Sequence, residues 1–261
     1  MKKVLTIAGS DPFGGAGMQA DLKTMTMHGV YGMTAVTLLS AQNTIGFFEA
    51  NAVTPEFLEK QMDAILSDVE PDGVKTGMLL NSEIIELVER KLKENKLNNV
   101  VIDPVMVAHK TVKLIDDDAI ECMKEKLLPL ADLITPNLGE TELIAGMSIN
   151  SKEDMEIAAK KIYEKYNCAV YTKSGVVEGD ADDLLYTSEG AFWVKGEYIK
   201  NKNTRGTGCT LSAAIVSNLA KGLSLKNACV EAKKYITGAL KSNIQIGHGI
   251  GPVDHCFDLN K

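Results

Sequence analysis

Short apolar or β-branched runs recur along the first two thirds of the chain, and each is followed by a stretch whose apolar residues repeat at helical spacing. This alternation predicts an α/β fold with a mostly parallel sheet and helices on both of its faces. Because ligands of such folds gather at the carboxyl ends of the strands, we expect the functional residues there. The predicted strands are Val4–Ala8, Met33–Leu39, Gly73–Lys75, Val100–Ile102, Leu133–Thr135 and Ala169–Thr172, and the predicted helices are 19–28, 55–69, 82–95, 117–128, 138–146 and 152–166.

The pattern changes beyond residue 180. Two apolar runs, Asp183–Thr187 and Ala191–Val194, are joined by the turn segment Ser188–Gly190, which predicts a hairpin at an antiparallel edge of the sheet. Two helices, about 208–221 and 225–241, are predicted to close the chain.

Length and composition restrict the class of protein. With 261 residues, 45% apolar and 24% charged, the chain suits one α/β domain over residues 1–261. The net charge of −7 (28 basic against 35 acidic residues) argues against a nucleic-acid partner, which would require surplus Lys and Arg. A small molecule is the better-fitting partner. Since no apolar run has the length of a membrane span or a signal-peptide core, we expect a cytoplasmic protein.

The five cysteines are odd in number, widely spaced and without a C-x-x-C pair. This spacing predicts neither a zinc site nor a disulfide framework. Four of them are interpreted as buried small hydrophobic residues or as bystanders, as is common for free cysteine in a reducing compartment, and Cys209 is considered separately. The five are Cys122, Cys168, Cys209, Cys229 and Cys256.

A glycine turn, Gly206-Thr207-Gly208-Cys209, opens directly into a helix of small and apolar residues. Its backbone N–H groups and the positive end of the helix dipole predict a binding site for a phosphate. Cys209 in the first turn would be favoured as a thiolate and could accept a proton from an attacking hydroxyl. A small residue packed under the helix explains the same position equally well.

A second glycine-rich turn, Gly9–Gly17, follows the first predicted strand. It lacks the Lys-Ser/Thr ending of a P-loop and the spacing of a dinucleotide-binding motif, so a lid over the substrate is the better interpretation. Asp21, on the helix that follows, could accept hydrogen bonds from an amino or hydroxyl group, or it could be a solvated surface acid.

Polar residues also follow the later predicted strands. Asp103 and Glu140 together offer the hard oxygen ligands that Mg²⁺ requires in phosphoryl transfer, directly or through water, although each alone could be a cap or a surface charge. Lys173, after the strand Ala169–Thr172, could reach a phosphate or could be a solvated lysine. Their shared position at strand ends favours the functional interpretation.

These segments, in this order, resemble the hydroxymethylpyrimidine and phosphomethylpyrimidine kinases of thiamine biosynthesis, within the ribokinase-like superfamily. The resemblance extends nearly from end to end of the chain. It is carried by Leu5–Asp11, Gly14–Gly17, Gln19–Lys23, Tyr31–Ala35, Ala41–Thr44, Lys75–Met78, Asp103–Met106, Thr135–Asn137, Gly206–Thr210, Gly247–Gly249 and Gly251–Val253.

The resemblance implies a three-layer α/β/α sandwich, a homodimer, and the use of ATP with Mg²⁺. It implies catalytic roles for the turn Gly206, Thr207, Gly208 and Cys209, and metal binding by Asp103 and Glu140. The implied substrate pocket is Gly9, Asp21, Gln42, Met78, Val105 and Cys209, and the implied nucleotide-binding residues are Asn137, Lys173, Thr207, Gly208 and Lys233.

Two positions depart from the family pattern. The family usually has Lys-Ser-Gly after Asp-Pro-Val-Met, whereas Val107–Val112 here contains His109 and Lys110 without the Ser-Gly, so no lid residues are assigned in this segment. The residue before the glycine turn is usually His, whereas here it is Arg205. Arg205 could add positive charge near a phosphate or simply face solvent.

The implied reaction is the ATP-dependent phosphorylation of 4-amino-5-hydroxymethyl-2-methylpyrimidine and then of its monophosphate. Gln42 supports the aminopyrimidine, because its amide offers a donor and an acceptor to an amino group beside a ring nitrogen. A pyridoxal kinase, or an enzyme with both activities, is the alternative on the same scaffold. A non-catalytic vitamin-binding protein is a third, which the metal and phosphate residues argue against.

Overall fold

The computed structural model describes residues 1–108, 112–175, 177 and 181–259. In chain order the strands are β1 (Lys3–Ser10), β2 (Tyr31–Gln42), β3 (Phe47–Ala52), β4 (Gly73–Thr76), β5 (Val100–Ile102), β6 (Val107–Ala108), β7 (Val112–Lys113), β8 (Leu133–Ile134), β9 (Ala169–Thr172), β10 (Asp183–Thr187) and β11 (Gly190–Val194). The α-helices are α1 (Gly17–Met27), α2 (Pro55–Leu66), α3 (Ser82–Asn95), α4 (Asp117–Cys122), α5 (Leu138–Ala145), α6 (Lys152–Tyr166), α7 (Thr207–Ala220) and α8 (Leu225–Lys241).

Nine strands form one sheet in the order β11-β10-β9-β8-β5-β4-β1-β2-β3. The six strands from β9 to β2 are parallel, β3 is antiparallel at one edge, and the β10–β11 hairpin is antiparallel at the other. The predicted parallel sheet and the predicted hairpin are therefore confirmed. Strand β3 is an additional element, and β6 pairs with β7 in a short separate ribbon.

Helices cover both faces of the sheet and create two cores. One core joins the sheet to α2, α3, α4, α5 and α6, and the other joins it to α1, α7 and α8. Alternation along β1 supplies both, since Leu5 and Ile7 belong to the first core and Val4 to the second. The expected three layers are confirmed.

The predicted helix 117–128 is wrong in its second half. Helix α4 ends at Cys122 and continues as a π-helical turn, Met123–Leu127, and a 3₁₀ turn, Leu128–Leu130. Pro129 lies in this last turn, and because it has no backbone N–H it cannot continue the α-helical hydrogen bonding. The other predicted helices are confirmed, with ends shifted by one to three residues where they differ.

Candidate active site

The order of the strands separates the predicted site residues into two groups. Asn137 follows β8 and Lys173 follows β9, on one side of the sheet centre. Met78 follows β4 and Gln42 ends β2, on the other side. Because the strands are parallel, all of these positions lie at one edge of the sheet, and helix α7 packs against the central strands between the two groups.

The glycine turn at the start of α7 is packed against the glycine-rich turn after β1. Gly206, the N-cap of α7, has φ 81°, and a Cβ atom there would lie 1.8 Å from the carbonyl oxygen of Gly15. Only glycine permits this conformation and this approach. The first N–H groups of α7 have no partner within the helix, so the turn has the donors that the sequence predicts for a phosphate site.

Lys173 places a positive charge beside this helix start. Its Nζ is 2.8 Å from Asp103 Oδ1 and 3.2 Å from the position that a Cβ on Gly208 would occupy. Ser212 Oγ, one turn into α7, donates to Asp103 Oδ2 at 3.2 Å. Burial alone would raise the pKa of Asp103, but Lys173 and Lys75 lower it by more, so the carboxylate stays charged.

Glu140 is buried and accepts backbone hydrogen bonds. Its Oε2 accepts from Asn137 N at 2.8 Å and its Oε1 from Met106 N at 3.2 Å, while Asn137 Oδ1 caps the helix by accepting from Glu140 N at 2.9 Å. Burial raises the pKa of Glu140 to about 7, with Lys173 opposing and Asp103 reinforcing the shift.

The two carboxylates offer oxygen ligands for a metal ion, but not a complete shell. Among the described residues, no three His, Cys, Asp or Glu side chains converge on one point. Asp103 and Glu140 both lie beside Lys173, and each keeps lone pairs beyond its present bonds. This donor set suits Mg²⁺, which commonly takes one or two carboxylates and completes its shell with water and substrate phosphates.

Two adjoining cavities border the α7 turn. One, of about 250 Å³, is lined by Ile199, Leu211, Ile236 and Leu240 among other residues, and its apolar walls suit a flat ring. The other, of about 390 Å³, is a groove that runs past Asn137. Both cavities are bordered by Lys173, Gly175, Thr207 and Gly208.

Lys233 lines the apolar cavity and forms an ion pair with Asp183. Its Nζ is 2.7 Å from Asp183 Oδ2, and Asp183 also accepts from the Tyr171 hydroxyl at 2.9 Å and from Ser174 N at 2.9 Å. The lysine is therefore held at the cavity wall by a buried carboxylate on β10. Asp183 is a supporting residue that the sequence did not single out.

Asp21 is not the solvated surface acid that the sequence left open, and its role as a substrate ligand stays a prediction. Its carboxylate is completely buried, with Lys75 Nζ 2.9 and 2.8 Å from its two oxygens and the Thr6 hydroxyl donating at 2.6 Å. Burial raises the pKa of Asp21. Burial alone would lower the pKa of Lys75, but electrostatic interactions with Asp21, Cys209 and Asp103 outweigh it and raise the pKa of Lys75. Asp21 thus anchors a buried lysine beneath the site, and Lys75 is not among the site residues predicted from the sequence.

The expected thiolate at Cys209 is not supported by its surroundings. The thiol is half-buried in the first turn of α7. Burial raises the pKa of the thiol to about 11. The positive charge of Lys75 lowers this pKa, but the negative charges of Asp21 and Asp103 raise it further. At neutral pH Cys209 is therefore a thiol, which can donate a weak hydrogen bond but does not readily accept a proton.

We expect the alkylation of Cys209 by iodoacetamide to be slow at pH 7 and to accelerate about tenfold per pH unit toward pH 11, because the thiolate is the nucleophile. Peptide mass spectrometry would follow Cys209 and the exposed Cys256 in the same sample. Modification of Cys209 as fast as that of Cys256 at pH 7 would contradict the raised pKa.

Gln42 and Arg205 contact each other at the other side of α7. Arg205 Nη2 donates to Gln42 Oε1, and Arg205 Nε lies 3.5 Å from Asp11 Oδ2. Asp11 builds the turn after β1 by accepting from Phe13 N at 2.9 Å and Ala16 N at 2.9 Å. Arg205 therefore does not simply face solvent, which corrects that alternative, and a contribution of its charge near a phosphate stays a prediction.

Comparison with known proteins assigns this chain to a family. The model of the family described as phosphomethylpyrimidine kinase matches residues 11–254. The chain belongs to this family. A hydroxymethylpyrimidine/phosphomethylpyrimidine kinase from Synechococcus elongatus is 44% identical over 257 residues, covering 98% of this chain and 97% of the relative.

A second curated relative and a solved structure extend the comparison. A thiamine biosynthesis bifunctional protein of Geobacter sulfurreducens is 45% identical over 253 residues, which are 97% of this chain and 52% of that protein, so the chain spans about half of its length. The structure of a Bacillus subtilis pyridoxal kinase in complex with ADP superposes with a TM-score of 0.92, at 38% identity and with both chains covered completely. Ribokinase-like neighbours thus confirm the fold class.

The remaining predicted pocket residues of this kinase lie at neighbouring strand ends. Gly9 is buried near the end of β1, where a Cβ atom would lie 2.8 Å from Leu38 Cγ. Met78 follows β4 and Val105 follows β5, and both are partly exposed. His109 and Lys110 lie outside the described residues.

Among the described residues, no helix is long and apolar enough to cross a bilayer.

Proposed function

We propose that this kinase transfers the γ-phosphate of ATP to the hydroxymethyl group of 4-amino-5-hydroxymethyl-2-methylpyrimidine, and then phosphorylates the monophosphate to the diphosphate. The observation that carries the proposal is the position of the α7 glycine turn. It lies between an apolar cavity that suits adenine and the strand ends that hold Gln42 and Met78. Membership of the phosphomethylpyrimidine kinase family supports the pyrimidine substrate.

The nucleotide occupies the two adjoining cavities in this proposal. Its adenine fits between the apolar walls of the cavity at Leu211 and Ile236, and Lys233 borders the same space. Its phosphates pass Asn137 in the groove and reach Thr207 and Gly208. A polyphosphate in this position meets both the helix start and the Lys173 ammonium.

Asp103 and Glu140 would hold Mg²⁺ in the same proposal, and the ion would neutralise part of the charge of the nucleotide phosphates. Lys173 keeps Asp103 ionised and lies beside Gly208, so it serves both the carboxylate and the transferred group. A bound cation would favour the charged form of the Glu140 carboxylate, whose pKa is raised by burial.

The transfer forms a bond between the hydroxymethyl oxygen and the γ-phosphorus and breaks the bond between that phosphorus and the β,γ-bridging oxygen, which leaves with ADP. The hydroxyl proton passes to water or to an oxygen of the transferred phosphoryl group. The transition state is loose, so positioning and charge neutralisation by Lys173 and the α7 N–H groups supply most of the acceleration. Little help from a base is needed, which agrees with a Cys209 thiol. In the second step the attacking oxygen belongs to a phosphate and is already anionic.

Incubation with Mg-ATP and the aminopyrimidine tests the proposal. We expect release of ADP together with the monophosphate and, later, the diphosphate, each identified by mass spectrometry. A protein that binds the pyrimidine without releasing ADP would instead be a vitamin-binding protein.

Pyridoxal is the second candidate substrate, because a pyridoxal kinase superposes over the complete chain. Pyridoxal also carries a hydroxymethyl group on a nitrogen-containing ring, so the same transfer site could serve it. Measuring kcat/KM for both compounds decides the order, and we expect the aminopyrimidine to be preferred because of Gln42.

We also propose a cytoplasmic homodimer, formed through an apolar surface at the β3 edge. The loop around Ile250 adjoins this edge, because Ile250 N donates to Thr44 O at 2.8 Å in the β2–β3 turn. Large exposed apolar patches commonly mark association sites. Its side chains, which are 45–71% exposed, are Leu39, Ile45, Phe47, Phe48, Ile246 and Ile250.

Analytical ultracentrifugation should find that the wild type is a dimer and that Phe48→Glu shifts the equilibrium toward the monomer. A monomeric wild type would refute the proposed dimer.

A further inference from the structure

Arg205 is held firmly at the border between the α7 turn and the turn after β1. Its backbone N–H donates to Gly251 O at 3.0 Å, and its carbonyl oxygen accepts from Val253 N at 3.4 Å. Its Cδ lies 3.2 Å from the position that a Cβ on Gly15 would occupy. The side chain, 18% exposed, therefore has a defined path toward Gln42.

A directed chain of hydrogen bonds fixes the orientation of the Gln42 amide. Ser40 Oγ donates its one proton to Ser10 O at 2.8 Å, so it can only accept from Gln42, whose Nε2 lies 2.7 Å away. The amide nitrogen must then face Ser40, and the amide oxygen must face the guanidinium of Arg205. The two contacts support the same orientation, and the Arg205 contact is assisted by charge.

Both ends of the amide retain one unused position. Arg205 takes one of the two lone pairs of Oε1, and Ser40 takes one of the two protons of Nε2. One acceptor and one donor are left, in an order that cannot be reversed while Arg205 is present. An aminopyrimidine presents the complementary pair, an amino proton and a ring-nitrogen lone pair.

We propose that Arg205 is a specificity-determining residue, which acts through Gln42 by holding its amide in the orientation that accepts from an amino group beside a ring nitrogen. The inference rests on the proposed pyrimidine kinase function. Without Arg205, the Ser40 hydroxyl can rotate and donate to a reversed amide, which would then present a donor to the amino group. Selection for the amino group is weakened, whereas the phosphate cradle is left in place.

The test compares two substrates, 4-amino-5-hydroxymethyl-2-methylpyrimidine and 5-hydroxymethyl-2-methylpyrimidine, which lacks the amino group. The measured quantity is the ratio of their kcat/KM values in wild type and in Arg205→Ala, Gln42→Ala and the double variant. We expect Arg205→Ala to lower the ratio about tenfold, the order expected for losing a charge-assisted contact. The double variant should have the same ratio as Gln42→Ala alone, because Arg205 acts through the amide.

Arg205→Lys is the conservative variant and should restore part of the ratio, since an ammonium can also donate to Oε1. It also substitutes for Arg205→Ala if that protein does not fold. Equal losses for both substrates, with the ratio unchanged, would make Arg205 only a support of the glycine turns and overturn the inference. Absence of phosphorylation of either pyrimidine by wild type would overturn the proposed function, and this inference with it.

Discussion

Gly206→Ala is expected to lower kcat/KM about a thousandfold or more. A methyl group at this position would lie 1.8 Å from the carbonyl oxygen of Gly15, and a φ of 81° is unfavourable for alanine. The two glycine turns must separate, which displaces the N–H groups at the start of α7. Loss of a single aligned donor commonly costs about 10²–10³ in rate. Release of ADP with saturating Mg-ATP measures the effect.

Gly222→Ala is the matched control. Gly222 has φ 91°, also in the left-handed region, but a Cβ there meets no atom within 4 Å. It should cost about 1–2 kcal/mol of stability from backbone strain alone, with activity within about twofold of wild type. Comparable activity in the two variants would show that the close approach of Gly206 to Gly15 is not needed for transfer.

Lys173→Ala is expected to lower kcat about 10²–10³-fold, because it removes the positive charge beside Gly208. It also leaves Asp103 buried without its nearest cation, 2.8 Å away in the wild type, so stability should fall by about 3–5 kcal/mol. Thermal unfolding and initial rates, the latter measured well below the melting temperature, separate the two effects.

Two variants distinguish catalysis from stability at Lys173. Lys195→Ala removes a lysine that is 82% exposed and also paired with an aspartate, and it should leave activity unchanged. The double variant Asp103→Asn/Lys173→Met removes both buried charges, so it should recover stability but not activity. Recovery of activity in that variant would show that Lys173 serves only to neutralise Asp103, and that the Asp103 carboxylate is not needed as a metal ligand.

The parallel sheet was predictable because its strands are apolar runs of ordinary length separated by amphipathic helices. Strand β3 was not, since Phe47–Ala52 lies at an edge with most of its side chains exposed and lacks a buried alternation. The π-helical and 3₁₀ turns that follow α4 were also missed, although Pro129 is a local signal for the end of a helix.

The positions of Asp103, Asn137 and Lys173 at the strand ends were predictable, because each residue follows an apolar run. Partnerships across the fold were not. The ion pair of Lys75 with Asp21 joins residues 54 positions apart, and the contact of Arg205 with Gln42 joins residues 163 apart. A lysine in the middle of a buried strand such as Gly73–Thr76 does indicate that a carboxylate partner exists, although not which one.

The contact between Gly206 and Gly15 has a thermodynamic consequence. A ring that displaces the turn after β1 must also shift the start of α7, and a nucleotide that orders α7 must act back on that turn. The two substrates are thus expected to change each other's affinity by the same factor, since linkage of this kind is reciprocal. Calorimetric titration of each ligand in the presence and absence of the other would give that factor directly.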